Sequence, residues 1–151
     1  MKERTLVLIK PDAMVKRIAG HVITDLYNLG LRMVGLKLVN VQRELAEQHY
    51  DEIKERHGKD IFDKLIKHIT GELHNNENVI AIVYEGENAI QKVRDIAGTL
   101  NPEEAEPSTI RGRYGRIHSK TDCYENLIHA SDSKESAKRE IALWFDDGEL
   151  V

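Results

Sequence analysis

Apolar and polar positions along the chain change period several times, and each change marks an element. Thr5-Leu6-Val7-Leu8-Ile9 is a continuous apolar run of strand length, closed by Lys10-Pro11-Asp12, where the proline removes a ladder donor. Ile18, Val22, Ile23, Leu26 and Leu29 then recur at helical spacing, and Gly30 supplies the stop. Met33 to Val41 reads as a strand, and Arg43 to Glu55 as a helix containing the pair His49-Tyr50. Ile61, Phe62, Leu65, Ile66 and Ile69 return to the helical period, Gly71 to Asn78 is a polar loop, and Val79 to Tyr84 is a strand. A further helix turns Ala89, Ile90, Val93, Ile96 and Ala97 inward. Gly98 to Thr121 carries Pro102, Pro107, Gly112 and Gly115 and reads as one long irregular loop, usually functional in so short a chain. Asn126 to Ala130 is a short strand whose alternation puts Leu127 and His129 on one face, and Asp132-x-x-Glu135 resembles a capping box opening a last helix through Phe145.

Without its inserted helices that order is β-α-β-β-α-β plus a terminal helix. It predicts an α+β, ferredoxin-like core: a four-stranded antiparallel sheet with helices on one face, in a single domain over residues 1–151. A chain of 151 residues, 40% hydrophobic, is long enough to bury a core without disulfides or structural metal. One cysteine, Cys123, excludes an internal disulfide, and no clustered Cys/His spacing points to zinc. No apolar run approaches the roughly 20 residues of a membrane span, and the N-terminus lacks a secretory pattern, so the expectation is a cytoplasmic protein with no membrane partner. With 22 Lys+Arg against 26 Asp+Glu, the formal net charge of −4 argues against a nucleic-acid partner but leaves room for a local pocket holding a small anion.

Phosphate-loop, dinucleotide-binding and hydrolase-elbow motifs are all absent. What remains is a set of basic, amide and histidine side chains at strand ends and in the long loop: Lys10, Arg94, Arg111, Asn126 and His129. In Asn126-Leu-Ile-His-Ala-Ser-Asp-Ser133 the small Ala130 leaves space beside the His129 ring, and the following helix N-terminus favours an anion. A neutral imidazole can attack phosphorus and carry the phosphoryl group as a phosphoramidate. On these grounds alone, a buried and hydrogen-bonded structural histidine is the commoner outcome for such a position. His21, His57, His68, His74 and His118 share no ligand spacing and read as core or surface fillers. Cys123 reads as unreactive, since the neighbouring Asp122 would raise its pKa.

Five ordered segments carry a resemblance: Thr5-Leu-Val-Leu-Ile-Lys-Pro-Asp12, His49-Tyr50, Thr109-Ile-Arg-Gly112, the His129 octapeptide, and Glu140-Ile-Ala-Leu-Trp-Phe145. Together, from about Arg4 to Leu150, they resemble the nucleoside diphosphate kinase family. The resemblance implies phosphoryl exchange between nucleoside triphosphates and diphosphates, in ping-pong fashion, through a phosphohistidine on His129. It implies that Glu140 and Ser131 orient the His129 ring, and that Lys10 and Asn126 bind ribose hydroxyls and the terminal phosphate. Tyr50 and His49 would touch the phosphates, while Arg94 and Arg111 would clamp the oxygens that gain charge. Magnesium would arrive with the nucleotide, and the assembly would be a homo-oligomer, a hexamer or tetramer.

The sequence departs from that family's pattern in places. Leu100 stands where a Thr usually contacts phosphate, and Arg113 where an Asp is usual. The base-clamping pair reads Ile61-Phe62; either could be the clamp and both fit the core pattern, with Phe62 taken as the stacking surface because its ring suits every base. The segments Gly71 to Asn78 and Gly112 to Asn126 are longer than the common form. These departures keep a second reading open, a catalytically impaired nucleotide-binding or scaffold relative, and a third, a ferredoxin-like module sensing a small anion.

Overall fold

The computed structural model describes all 151 residues, Met1–Val151. Its elements are β1 (Lys2–Ile9), α1 (Pro11–Val15), α2 (Ala19–Tyr27), β2 (Arg32–Asn40), α3 (Arg43–His49), α4 (Asp51–His57), α5 (Lys59–Ile69), β3 (Asn78–Glu87), α6 (Ala89–Ala97), α7 (Ile110–Tyr114), β4 (Arg116–Ile117), β5 (Tyr124–Glu125), β6 (Ile128–Ala130) and α8 (Lys134–Trp144). The main sheet has the order β2-β3-β1-β6, with every neighbouring pair antiparallel. This is the ferredoxin-like arrangement the hydrophobic pattern predicts.

The unbroken run Leu6 to Ile9 is explained by its place. β1 is flanked by β3 and β6, and Leu6, Val7, Leu8 and Ile9 are all fully buried. Val7 and Ile9 pack on one face with Val22 and Leu26 of α2 and Ala89, Val93 and Ala97 of α6. Leu6 and Leu8 pack on the other with Phe62, Ile66 and Ile69 of α5, Ala46 of α3 and Trp144 of α8. Helices therefore cover both faces, not one; the inserted helices α3 and α5 and the terminal helix α8 supply the second layer.

Three further expectations are corrected. The helix expected over Arg43 to Glu55 breaks at Tyr50, whose φ of −103° and ψ of 17° separate α3 from α4. The long loop contains α7 and β4, which pairs with β5 just beyond it in a small hairpin. The last helix is capped one residue later than the motif suggests: Ser133 Oγ accepts from the Ser136 N–H at 3.1 Å. Within the loop, a Cβ on Gly112 would stand 2.0 Å from the Glu106 carbonyl oxygen, so the 101–107 segment can fold down on α7 only because no side chain is there.

Candidate active site

The site forms where the C-terminal end of β1, the start of β6, α7 and the break between α3 and α4 converge. His129 does not share a face with Leu127, as alternation predicts. Leu127 has φ of 73°, in the left-handed region, and joins Ile128 and Ala130 in the core face shared with Val7 and Ile9. His129 pairs in register with Leu8 and points to the opposite face, toward α8. A non-glycine residue rarely adopts this backbone conformation. Asp12 stabilises it, its Oδ2 accepting the Leu127 N–H at 2.9 Å.

On that face a relay of hydrogen bonds leads from β1 to the carboxylate beside the imidazole. Ser131 Oγ accepts the Leu6 N–H at 3.1 Å and donates to Glu140 Oε1 at 2.6 Å. The other oxygen, Oε2, lies 2.9 Å from His129 Nε2, though off the axis of the ring N–H, and 3.9 Å from His49 Nε2. Such bonds are often imperfectly aligned in the free enzyme and tighten with substrate. Burial opposes the charge of Glu140, but the contact from His129, the nearby His49 and the Ser131 hydroxyl together hold its carboxyl below the usual range. An ionised carboxylate only accepts hydrogen bonds, so the His129 proton belongs on Nε2 and the lone pair on Nδ1. The side chain retains 21% of its exposure.

His49 was expected to touch phosphates; it faces inward instead. It is 3% exposed, lies edge-on to the His129 ring at 4.5 Å between centroids, and accepts the Trp144 indole N–H on Nδ1 at 3.0 Å. Since an indole N–H can only donate, the His49 proton sits on Nε2, 3.9 Å from Glu140 Oε2 and without a hydrogen-bond partner. Burial, then the neighbouring His129, push its pKa down to about 3, so it stays neutral. The same tautomer settles a metal question. His49, His129 and Glu140 bring three ligand atoms within 4.8 Å of one another, yet His49 could ligate through Nε2 only by moving its proton onto the nitrogen that already faces the Trp144 N–H.

Across the opening stand the cations. Lys10 is buried, and its ammonium donates to Asn126 Oδ1; burial lowers its pKa, and Arg111 adds to the effect against the pull of Asp12. Arg111 is fixed by three carbonyls: Nη1 to Gly98 at 2.9 Å, Nη2 to Ile128 at 2.8 Å and Nε to Asn126 at 3.3 Å. Burial, then the neighbouring Arg94, lower its pKa to about 10, and Arg94 itself is exposed on α6. Tyr50 sits edge-on to His49 at 4.7 Å, and burial followed by the Glu140 charge raises its pKa, so its hydroxyl keeps its proton.

The remaining expected residues are placed differently. Leu100 contributes no side chain: it is 66% exposed, and only its carbonyl is engaged, accepting from Asn126 Nδ2 at 3.0 Å. Arg113 adds no free charge to the loop, because it pairs with Asp25 of α2. Ile61 and Phe62 are placed the other way round: Phe62 is in the core with Ile66 and Trp144, while Ile61 is 49% exposed. Asp12 and Trp144 were not singled out from the sequence. The only signals available were an acid directly after a strand-ending Pro and an indole about one turn beyond Glu140.

A model of the nucleoside diphosphate kinase family matches residues 3–150. The nucleoside diphosphate kinase of Pyrococcus furiosus is 47% identical over 148 residues, covering 98% of this chain and 86% of that one. That of Methanocaldococcus jannaschii is 44% identical over 150 residues, covering 99% and 98%. Among solved structures, the Borrelia burgdorferi nucleoside diphosphate kinase with bound vanadate and ADP, a transition-state mimic, superposes with a TM-score of 0.90 at 36% identity, covering 99% of this chain and 90% of that one. The Halobacterium salinarum enzyme in complex with CDP gives 0.87 at 41% identity, covering 100% and 92%. Whole-length sequence similarity and fold agree with the five motifs, and the chain belongs to the nucleoside diphosphate kinase family, enzymes that pass the terminal phosphate of a nucleoside triphosphate to a nucleoside diphosphate.

Proposed function

We propose that His129 Nδ1 is the atom that carries the phosphoryl group. The observation behind this reading is the contact of Glu140 with Nε2, which leaves Nδ1 as the only nitrogen with a free lone pair. In the first half-reaction that lone pair attacks the terminal phosphorus, the bond from phosphorus to the bridging oxygen breaks, and the nucleoside diphosphate leaves with its electron pair. The ring keeps its Nε2 proton and becomes cationic, and the Glu140 carboxylate opposite stabilises that charge. The second half-reaction reverses these steps with another diphosphate in the same site, which gives ping-pong kinetics.

Lys10 and Asn126 bind the ribose hydroxyls and the transferring phosphate, and the Tyr50 hydroxyl donates to a phosphate oxygen. Arg94 and Arg111 face the oxygens that gain charge, and the three carbonyl bonds of Arg111 mean that little reorganisation accompanies the transfer. Serine 131 and His49 act through Glu140. Ile61, apolar and exposed, is the surface for the base; a contact of this kind reads no hydrogen-bonding edge and so tolerates different bases. The buried carboxylates, Asp12, Glu125 and Glu140, are all committed to protein donors, which fits magnesium entering on the nucleotide's own phosphates as part of the substrate.

The chain acts as a single domain over residues 1–151, within the cytoplasm, and as a homo-oligomer, a hexamer or tetramer. Leu36 and Leu38, exposed on the edge strand β2, are apolar surface that such an assembly would cover. No helix is long and apolar enough to cross a membrane. The impaired-relative reading loses its support, since Leu100 is exposed and meets the site only through its carbonyl, and the Arg113 charge is neutralised. The test is incubation with γ-labelled ATP: acid-labile label on the wild type, discharged by a nucleoside diphosphate, and none on a folded His129→Ala protein. Label persisting in His129→Ala would refute the assignment.

A further inference from the structure

Behind Lys10 lies a second buried polar cluster that the transfer step does not use directly. Cys123 Sγ is 3.2 Å from His68 Nδ1, and His68 Nε2 is 2.8 Å from Asp12 Oδ1. The other Asp12 oxygen holds the Leu127 N–H. The His74 ring lies 5.1 Å from that of His68, and its Nε2 is 3.3 Å from Glu125 Oε2. Glu125, itself buried, also takes Arg116 at 2.9 Å and Lys16 at 3.4 Å. The two segments that run longer than the family's common form, Gly71 to Asn78 and Gly112 to Asn126, thus meet at His68, one bringing His74 and the other Cys123 and Glu125.

Proton directions follow from the chemistry of the groups. Burial opposes an ionised Asp12, but the His68 hydrogen bond, the Lys10 charge and the Leu127 amide outweigh it and hold its carboxyl well below the usual range. As an acceptor only, Asp12 requires the His68 proton on Nε2. Nδ1 is then a lone pair, and Cys123 must donate its S–H to it. Burial, rather than the neighbouring Asp122, is the main cause that pushes the thiol up to about 11. His68 is held neutral with a pKa of about 4, by burial and then by Lys10, against the pull of Asp12.

We propose that His68 is a positioning residue for phosphoryl transfer: its Nε2–H holds one Asp12 oxygen, which keeps the other on the Leu127 amide and leaves Lys10 to Asn126 and the substrate. This rests on the reading of His129 and Lys10 given above. Without that donor, the free carboxylate oxygen swings to the Lys10 ammonium two residues away. Lys10 is then drawn off the phosphate, and the left-handed turn before His129 loses its anchor.

The experiment is single-turnover labelling of His129 by γ-labelled ATP in the wild type, His68→Phe and His68→Gln, per folded molecule by circular dichroism, with a thermal melt for each. Phenylalanine fills the space without a donor; glutamine places an amide N–H near the position of Nε2. The expected result is labelling at least tenfold slower in His68→Phe and largely recovered in His68→Gln, even where both melt at the same lowered temperature. Wild-type rates in His68→Phe, or equal losses in both variants, would overturn the proposal. If His68→Phe does not fold, His68→Leu against His68→Gln decides in its place: only glutamine keeps a donor for Asp12, so slow labelling in leucine alone supports the proposal and equal rates overturn it. A wild type that takes no label refutes the underlying reading, whereas a labelled wild type with an unaffected His68→Phe refutes only the role of His68.

Discussion

Glu140→Gln isolates the charge behind the nucleophile while leaving its shape. In the native site one oxygen accepts Ser131 at 2.6 Å and the other faces His129 Nε2 at 2.9 Å. A glutamine amide has one accepting oxygen and one donating nitrogen, so it cannot serve both partners as they stand. If the amide nitrogen turns to Ser131, the oxygen still meets the Nε2–H, but the anion that offsets the phosphorylated, cationic ring is gone. If it turns to His129, the imidazole must move its proton to Nδ1 and the nucleophilic lone pair disappears. A hydrogen bond to a charged group contributes about 1.5 to 3 kcal/mol, so the first case alone slows phosphorylation roughly tenfold to 150-fold. Glu140 is 4% exposed and lies behind the ring, so KM should change little. The assay is the single-turnover rate of His129 labelling together with steady-state kcat and KM over several diphosphates. A kcat within twofold of wild type, or a defect confined to KM, would refute the role given to the carboxylate.

Other consequences can be checked with standard assays. Phe62→Ala should lower stability by about 3 to 5 kcal/mol, as large-to-small core changes do, whereas Ile61→Ala should melt near wild type yet raise KM for purine and pyrimidine diphosphates together; the reverse pattern in melts and KM series would return the base contact to Phe62. Stability should fall as pH drops below about 6.5, because the unfolded chain takes up protons that His49 and His68 refuse until about 3 and about 4, a slope of at most about 1.4 kcal/mol per pH unit for each histidine. Urea melts from pH 7 to 4.5 measure it, and His68→Gln should flatten it; an unchanged slope would contradict the assignment. Leu100→Thr should leave the melting temperature unchanged and shift nucleotide affinity by no more than about tenfold, because only the backbone of that residue is engaged; titration with a diphosphate reads the outcome.

How far the chain could be read before its structure depended on the range of the physics involved. Local periodicity located β1, α5 and α6 because their apolar positions repeat over several turns or a full strand. The break at Tyr50 left no such signal: the helical pattern continues through it, and the change of direction comes from packing α3 against α8 and α5. The hairpin at the end of the long loop is two residues per strand, too short for alternation to register. At the site, His129, Lys10, Asn126 and Arg111 were legible as chemistry-bearing types at strand ends and in a loop. The inward turn of His49 was not, since it depends on an indole 95 residues away in sequence. Nor could Ile61 and Phe62 be separated, being adjacent on one helix with both stripes apolar. The grouping of Asp12, His68 and Cys123 spans separations of 56 and 55 residues and needed the folded sheet to bring it together.

The left-handed residue at Leu127 bears on what this scaffold can tolerate. A strand has a parity: adding or removing one residue upstream would send the imidazole into the opposite layer. Here the parity is reset immediately before β6, by a single backbone conformation clamped to Asp12, so the phase of the His129 strand is independent of the length of whatever precedes it. The β4-β5 hairpin and its connecting turn can therefore grow or shrink without moving His129 off its face. Leu127 separates a segment whose length is free from a geometry that is not.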